Sequence, residues 1–201
     1  MTASAGGGSA EERDAAGVRL LHESYLRWAE MPPVVVTLDR PNAWTVLLAL
    51  QATMTHPDFA GSGMGATVES WGRQLQEALC DDAEVYAVAE RGWRRADGGP
   101  SAAADAEPDA AAVQLMTDAY RRWTGMSPVS AKAERVDTWT VLMALQLALT
   151  HPTVGESPLG PVVEAVGRQL QEGLCDDPEL YALAEAGWNR AADVEQDRGR
   201  G

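Results

Sequence analysis

Two Cys-Asp-Asp triplets and two histidines are the residues of this chain best suited to metal or catalytic chemistry. The triplets are Cys80-Asp81-Asp82 and Cys175-Asp176-Asp177, and each follows a histidine, His56 or His151, by 24 residues. Thiolate, imidazole and carboxylate groups all ligate zinc, but zinc sites use closely paired Cys or His residues, and that pairing is missing here. We therefore predict no metal site. Each triplet is interpreted as a turn in which an Asp caps the following helix.

His56 and His151 each stand directly before a proline, which indicates that a helix ends there. A histidine in the last turn of a helix interacts favourably with the helix dipole and can hydrogen-bond the last carbonyl groups. A catalytic role would require a nucleophile or a second carboxylate within reach, and the sequence supplies neither at a known distance. We predict no catalytic residue and keep both histidines as candidate ligand-binding residues.

Trp44 and Gln51, like Trp139 and Gln146, share one stripe of a predicted helix that is apolar nearly all round. A Gln inside a buried helix needs hydrogen-bond partners, because an unsatisfied amide costs about 1–3 kcal/mol. One interpretation is that the Gln binds neighbouring backbone or an adjacent element. The other is a ligand pocket in which the Trp forms a flat wall and the Gln binds the polar edge of the ligand.

A polar face recurs on the next predicted helix. Glu69, Arg73 and Glu77 are spaced four residues apart, and Glu164, Arg168 and Glu172 repeat the arrangement. Such pairs stabilise a helix by only a few tenths of a kcal/mol, so a solvated face is the ordinary interpretation. A face present twice also suits the binding of a protein partner. The candidate partner-binding residues are Arg73, Gln74, Glu77, Arg168, Gln169 and Glu172.

These recurring residues reflect a repeat of the whole sequence. When residues 14–96 are placed on residues 109–191, 45 of the 83 positions are identical without a gap. We call these segments the first half and the second half, and we predict that each is a helical module. The remaining segments, 1–13, 97–108 and 192–201, contain almost no large apolar side chains, so they are expected to be a flexible tail, a flexible linker and a second flexible tail.

Hydrophobic periodicity predicts four helices in each half, with a short strand between the first and the second. The second helix is expected to begin at an N-cap, Asn42 or Asp137, and to end at Thr-His-Pro. A lone strand leaves its backbone groups unpaired, so the two strands should pair antiparallel within the chain or pair between two chains. The predicted fold class is therefore mostly α: two tandem four-helix modules related by a pseudo-two-fold axis.

Composition restricts the function. A net charge of −14 argues against direct nucleic-acid binding, no stretch is long and apolar enough to span a membrane, and two cysteines provide no disulfide framework. With so few cysteines a reducing cytoplasm is the default location, and residues 1–13 lack the pattern of a signal peptide. We find no Walker loop, GxGxxG or GxSxG motif and predict no enzymatic activity and no cofactor.

Our leading hypothesis is a non-enzymatic interaction protein that binds a protein partner, or itself, through the duplicated polar helix faces. The alternative is a small-molecule binding or sequestering protein with two equivalent pockets, one near Trp44 and Gln51 and the other near Trp139 and Gln146. A third hypothesis is an acidic mimic that inhibits a nucleic-acid-binding protein, although its acidic residues are spread out rather than arranged in dense stripes.

Overall fold

A computed structural model describes residues 10–97 and 110–198. Over these ranges the chain is mostly helical with one small sheet, as predicted for the fold class. Within them, no helix combines the length and the apolar character that a membrane crossing requires. The elements in chain order are α1 Ala10–Trp28, β1 Val34–Leu38, α2 Arg40–Thr53, α3 Gly63–Leu79, α4 Ala83–Asp97, α5 Ala110–Trp123, β2 Val129–Ala133, α6 Arg135–Ala148, α7 Pro152–Gly155, α8 Gly160–Leu174 and α9 Pro178–Arg198.

The two strands pair with each other in an antiparallel sheet, which confirms the predicted pairing and places it within one chain. Val36 lies opposite Ala131 at the centre of the register. In both strands alternate residues are buried and the residues between them are exposed. The sheet therefore turns one apolar face towards the helices. This agrees with the alternation of residues that the sequence of β1 showed, because successive side chains of a strand point to opposite faces.

Helices α2 and α6 form the centre of the core, where they pack against each other and against α3 and α8. Most of their apolar side chains are buried, including Val46, Leu50 and Leu145. The hydroxyl of Thr53 on α2 donates to the carbonyl of Ala144 on α6 at 3.0 Å. The prediction that the second helix of each half is buried on nearly all sides is confirmed.

The start of α2 and α6 differs from the prediction that Asn42 and Asp137 are the N-caps. The helices begin at Arg40 and Arg135, and their N-caps, Asp39 and Glu134, lie three residues earlier than predicted. Asp39 is the N-cap of α2, and its Oδ1 accepts a hydrogen bond from the backbone N–H of Asn42 at 2.8 Å. A proline in the first turn of α2 has the fixed φ that suits a helix start.

The first helix of each half packs against the other half. Helix α1 contacts α6 and α9, while α5 contacts α2 and α4. The ring of Trp28 on α1 lies 6.1 Å from that of Trp139, and the ring of Trp123 on α5 lies 5.9 Å from that of Trp44. The apolar stripe of the first helix of each half is therefore buried by the opposite half.

The helices also extend into the predicted tails. Helix α1 begins at Ala10, inside the segment 1–13, and α9 continues to Arg198, inside the segment 192–201. Alanine, glutamate and arginine favour a helix even without a large apolar side chain, which explains the difference. Only Asp97 of the predicted linker 97–108 belongs to a described element, and the rest of the linker lies outside the described residues, as do 1–9 and 199–201.

Candidate functional site

Gln51 and Gln146 bind helix backbone rather than lining a cavity. The Nε2 of Gln51 donates to the carbonyl of Ala89 on α4 at 2.9 Å, and Gln146 makes the same bond, also at 2.9 Å, to Ala184 on α9. Gln51 is only 6% exposed, and its amide lies so close to Gly92 that a Cβ atom there would overlap it. Gln51 thus ties α2 to α4, and Gln146 ties α6 to α9, which agrees with the first of the two interpretations, a Gln bound to neighbouring backbone.

Trp44 forms one wall of a groove of about 750 Å³ between α2, α4 and α5. The side chain itself is only 4% exposed. The structure therefore places Trp44 at a cavity but does not bring Gln51 to it. Trp139 is buried to the same extent, and its indole N–H has no hydrogen-bond partner among the described residues.

His56 and His151 lie beyond the helices that they were predicted to end. Helices α2 and α6 stop at Thr53 and Ala148, three residues earlier, so neither imidazole belongs to the last helical turn. The Nδ1 of His151 caps α7 by accepting from the N–H of Thr153 at 3.4 Å. The Nδ1 of His56 accepts from the N–H of Asp58 at 3.3 Å. The predicted C-terminal dipole role is therefore corrected: His151 caps α7, and His56 hydrogen-bonds within the turn that follows α2.

A chain of polar side chains joins α3 to α4. The indole N–H of Trp93 donates to Oε1 of Gln76 at 2.8 Å, and Nε2 of Gln76 donates to Oε1 of Glu90 at 2.9 Å. Arg73 donates to the same Glu90 oxygen at 2.6 Å and to Glu69 at 2.7 Å. The guanidinium of Arg73 also lies over the ring of Trp93, 5.8 Å from its centroid. Arg73 therefore pairs across to α4, and not with Glu77 as its spacing suggested.

The same chain joins α8 to α9 in the second half. Trp188 donates to Gln171 at 2.6 Å, and Gln171 donates to Glu185 at 2.9 Å. Arg168 donates to Glu185 at 2.7 Å and to Glu164 at 2.9 Å. Arg73 and Arg168, two of the candidate partner-binding residues, are thus engaged within the fold, although each keeps part of its side chain in solvent.

Electrostatics hold Glu90 in its charged form. Burial alone would raise the pKa of Glu90, but hydrogen bonds from Gln76 and Arg73, together with the charges of Arg73 and Arg94, outweigh burial and lower it. The pKa of Arg73 is raised because its bonds to Glu69 and Glu90 outweigh the opposing effect of burial. The Glu90 carboxylate therefore stabilises the fold above its ordinary titration range, and this contribution is lost as the pH falls through its lowered pKa.

Gln74 and Gln169, two other candidate partner-binding residues, are exposed and line two clefts. Gln74 lies in a cleft of about 560 Å³ between α3 and the junction of β2 with α6. Gln169 lies in a cleft of about 300 Å³ between α8 and the junction of β1 with α2. Glu77 and Glu172 are exposed on the same helices and line neither cleft. One cleft thus combines α3 with β2 and the other combines α8 with β1, so each joins a helix of one half to the strand of the other half.

The Cys-Asp-Asp triplets form capped turns. Oδ1 of Asp82 accepts from the N–H of Val85 at 2.8 Å, and Oδ1 of Asp177 accepts from Leu180 at 2.8 Å, which confirms the predicted caps. Among the described residues, no three His, Cys, Asp or Glu side chains are grouped as a metal site would require.

Both thiols, in Cys80 and Cys175, are free. Burial, together with the charges of the neighbouring carboxylates, raises the pKa of each to about 12. Such thiols are poor nucleophiles near neutral pH because the thiolate is the reactive form.

Several residues that shape these sites were not singled out from the sequence. Glu90 and Trp93 recur as Glu185 and Trp188 at the same spacing, so identity between the halves was the available signal. Arg91 at the Trp44 groove and Lys132 at the larger cleft have no identical counterpart, so that signal could not identify them.

In comparisons with known proteins, no family model, no curated protein and no solved structure matches this chain.

Proposed function

We propose that this chain is a non-enzymatic binding protein that engages a protein partner, or a second copy of itself, at the two clefts that contain Gln74 and Gln169. One observation carries the proposal. Each cleft is lined by nine residues, and every lining residue of one corresponds to a lining residue of the other at a separation of 95 positions. The correspondence includes the strand residues, which come from the opposite half in each case.

A tandem duplication with a pseudo-two-fold axis is part of the proposal. It is supported by the 45 identities between the halves and by the register of the sheet, in which Val36 and Ala131, themselves 95 positions apart, lie opposite each other. The polar chains and the exchange of first helices occur in both halves. A two-fold relation of this kind presents the two clefts in equivalent orientations, which suits a symmetric partner or a second copy of the chain.

The side chains shared by the two clefts define the chemistry of the partner. Each cleft offers an exposed Gln amide, which can both donate and accept, and a carboxylate from Glu134 or Asp39. Amides and carboxylates bind the backbone amides and the basic side chains of another protein.

The acidic composition and the free cysteines complete the proposal. A net charge of −14 disfavours nucleic acid as the partner. Two unbridged thiols in a chain of 201 residues suit a reducing compartment such as the cytoplasm.

Photo-crosslinking in the native host tests the proposal. A benzophenone amino acid replaces Gln74 in one variant and Gln169 in another, and Gln114, which is exposed on α5 and lines neither cleft, is the control position. We expect both cleft positions to give the same adduct, identified by mass spectrometry as one protein or as a second copy of the chain. An adduct that forms equally from position 114, or no adduct from either cleft, would contradict the proposal.

A further inference from the structure

The groove between α2, α4 and α5 is an apolar recess beside the candidate residue Trp44. Its volume of about 750 Å³ lies in the range of small-molecule sites. Most of the lining is apolar, and Val113 on α5 remains 54% exposed at its edge. A ligand that covered these side chains would remove apolar surface from water, which is favourable. The lining residues are Trp44, Leu48, Val88, Arg91, Ala112, Val113, Met116, Thr117, Tyr120 and Arg121.

Two guanidinium groups border this apolar surface. Arg121 on α5 is already paired with Asp118 at 2.9 Å. Arg91 on α4 takes part in none of the ion pairs found within residues 10–97 and 110–198. The residues that α2 contributes to the groove, Trp44 and Leu48, are uncharged. In a chain with a net charge of −14, an unpaired guanidinium beside an apolar recess is complementary to one acidic group of a ligand.

The corresponding residues, 95 positions away in the sequence, lack the positive charge of this groove. Ala186 occupies the position that corresponds to Arg91, and Leu26 the position that corresponds to Arg121. The apolar lining, by contrast, is retained in the pairs Trp44 and Trp139, Leu48 and Met143, Val113 and Val18, and Tyr120 and Tyr25. Since α1 packs on α6 and α9 as α5 packs on α2 and α4, the two surfaces share an apolar character and differ in charge.

We propose that the groove binds a small apolar molecule that carries one acidic group. Its apolar body lies against Trp44, Leu48 and Met116, and its acidic group is bound by the guanidinium of Arg91. The site is separate from the two clefts, so it does not depend on the proposed protein partner.

Two fluorescent probes of matching shape test this proposal on the full chain. The first is 8-anilinonaphthalene-1-sulfonate, which has an apolar body and one acidic group, and the second is neutral N-phenyl-1-naphthylamine. We expect the anionic probe to bind at one site per chain. Replacing Arg91 with Gln should weaken the anionic probe about tenfold or more and leave the neutral probe unchanged, because only the anion loses a charge-assisted hydrogen bond.

Matched controls separate the groove from general surface effects. Arg94→Gln removes an arginine from the same helix that does not line the groove, and it should leave the affinity for both probes unchanged. Val113→Asp should weaken both probes, while Val18→Asp, the same change at the corresponding exposed position, should not. Circular dichroism checks that each variant is folded.

Several outcomes would overturn the proposal. One is that the anionic probe shows no saturable binding, and another is that it binds at two sites of equal affinity. A third is that Arg91→Gln and Arg94→Gln lower the affinity for the anionic probe to the same extent. The proposal is also overturned if Arg91→Gln weakens the binding of the neutral probe as much as it weakens the binding of the anionic probe. If a peptide binds in the groove and neither probe does, the groove is a protein-docking surface and the small-molecule assignment is wrong.

Discussion

Replacing Gln76 with Leu is expected to lower the free energy of unfolding by about 3 kcal/mol. The side chain is fully buried and joins the indole N–H of Trp93 at 2.8 Å to the carboxylate of Glu90 at 2.9 Å. Without it the Trp93 donor is left buried and unpaired, which costs about 1–3 kcal/mol, and a bond to a charged group is lost, which costs about 1.5–3 kcal/mol. Water and Arg73 replace part of the hydrogen bonding that Glu90 loses, and the Leu side chain adds buried apolar surface. Both effects keep the expected cost below the sum of the two losses.

Urea unfolding followed by far-ultraviolet circular dichroism measures this loss. For a chain of this length, 3 kcal/mol corresponds to a decrease of roughly 6–12 °C in the melting temperature. Gln74→Leu is the matched control, because Gln74 is two residues away and exposed, and it should change the stability by no more than about 0.5 kcal/mol. Gln171→Leu, which breaks the corresponding bonds in the second half, should cost as much as Gln76→Leu.

A double-mutant cycle isolates the cost of the unpaired donor. Trp93→Phe removes the indole N–H, so Gln76→Leu made in that background should cost about 1–2 kcal/mol less than it does in the parent. The reasoning is refuted if Gln76→Leu and Gln74→Leu have the same unfolding midpoint. It is also refuted if the cycle shows no coupling between the two positions.

Three further predictions concern the thiols, the central tryptophans and the exchange of helices. Because burial raises the pKa of Cys80 and Cys175 to about 12, iodoacetamide at pH 8 should alkylate them at least about a hundredfold more slowly in the native protein than in urea, and equal rates would contradict the burial. The stability that accompanies these raised values should be present below the ordinary thiol pKa and be lost as the pH rises towards 12, which unfolding curves at increasing pH can measure. Trp44→Ala and Trp139→Ala should each cost about 3–5 kcal/mol in urea unfolding, as truncations of buried aromatic side chains do, and a cost below about 1 kcal/mol would exclude a core role. A chain cut once in the linker should elute from gel filtration as a single complex and separate only in denaturant, because α1 and α5 each pack against the opposite half, and separate elution without denaturant would show that the halves are independent.

The local elements could be predicted from the sequence because local periodicity produces them. Apolar residues spaced three and four positions apart indicated the helices, and alternating residues indicated β1. The unpaired backbone groups of a lone strand then required a partner, which is why β1 and β2 were expected to pair. The burial of Gln51 within α2 likewise required a hydrogen-bond acceptor, and the carbonyl of Ala89 is that acceptor.

The partners of each element were decided by the tertiary structure. The apolar stripe of α1 shows which face is buried but not which half covers it, and Trp28 lies against Trp139 of the opposite half. Arg73 had Glu69 and Glu77 as neighbours on its own helix, yet its second partner is Glu90 on α4.

Both proposed sites depend on this level of structure. The clefts exist because α3 and α8 lie beside the strand of the opposite half, and the groove exists because α5 lies against α2 and α4. Residues that are distant in the chain come into contact only when the helices pack. The periodicity of a sequence determines which face of an element a side chain occupies, but it does not determine which element packs against that face.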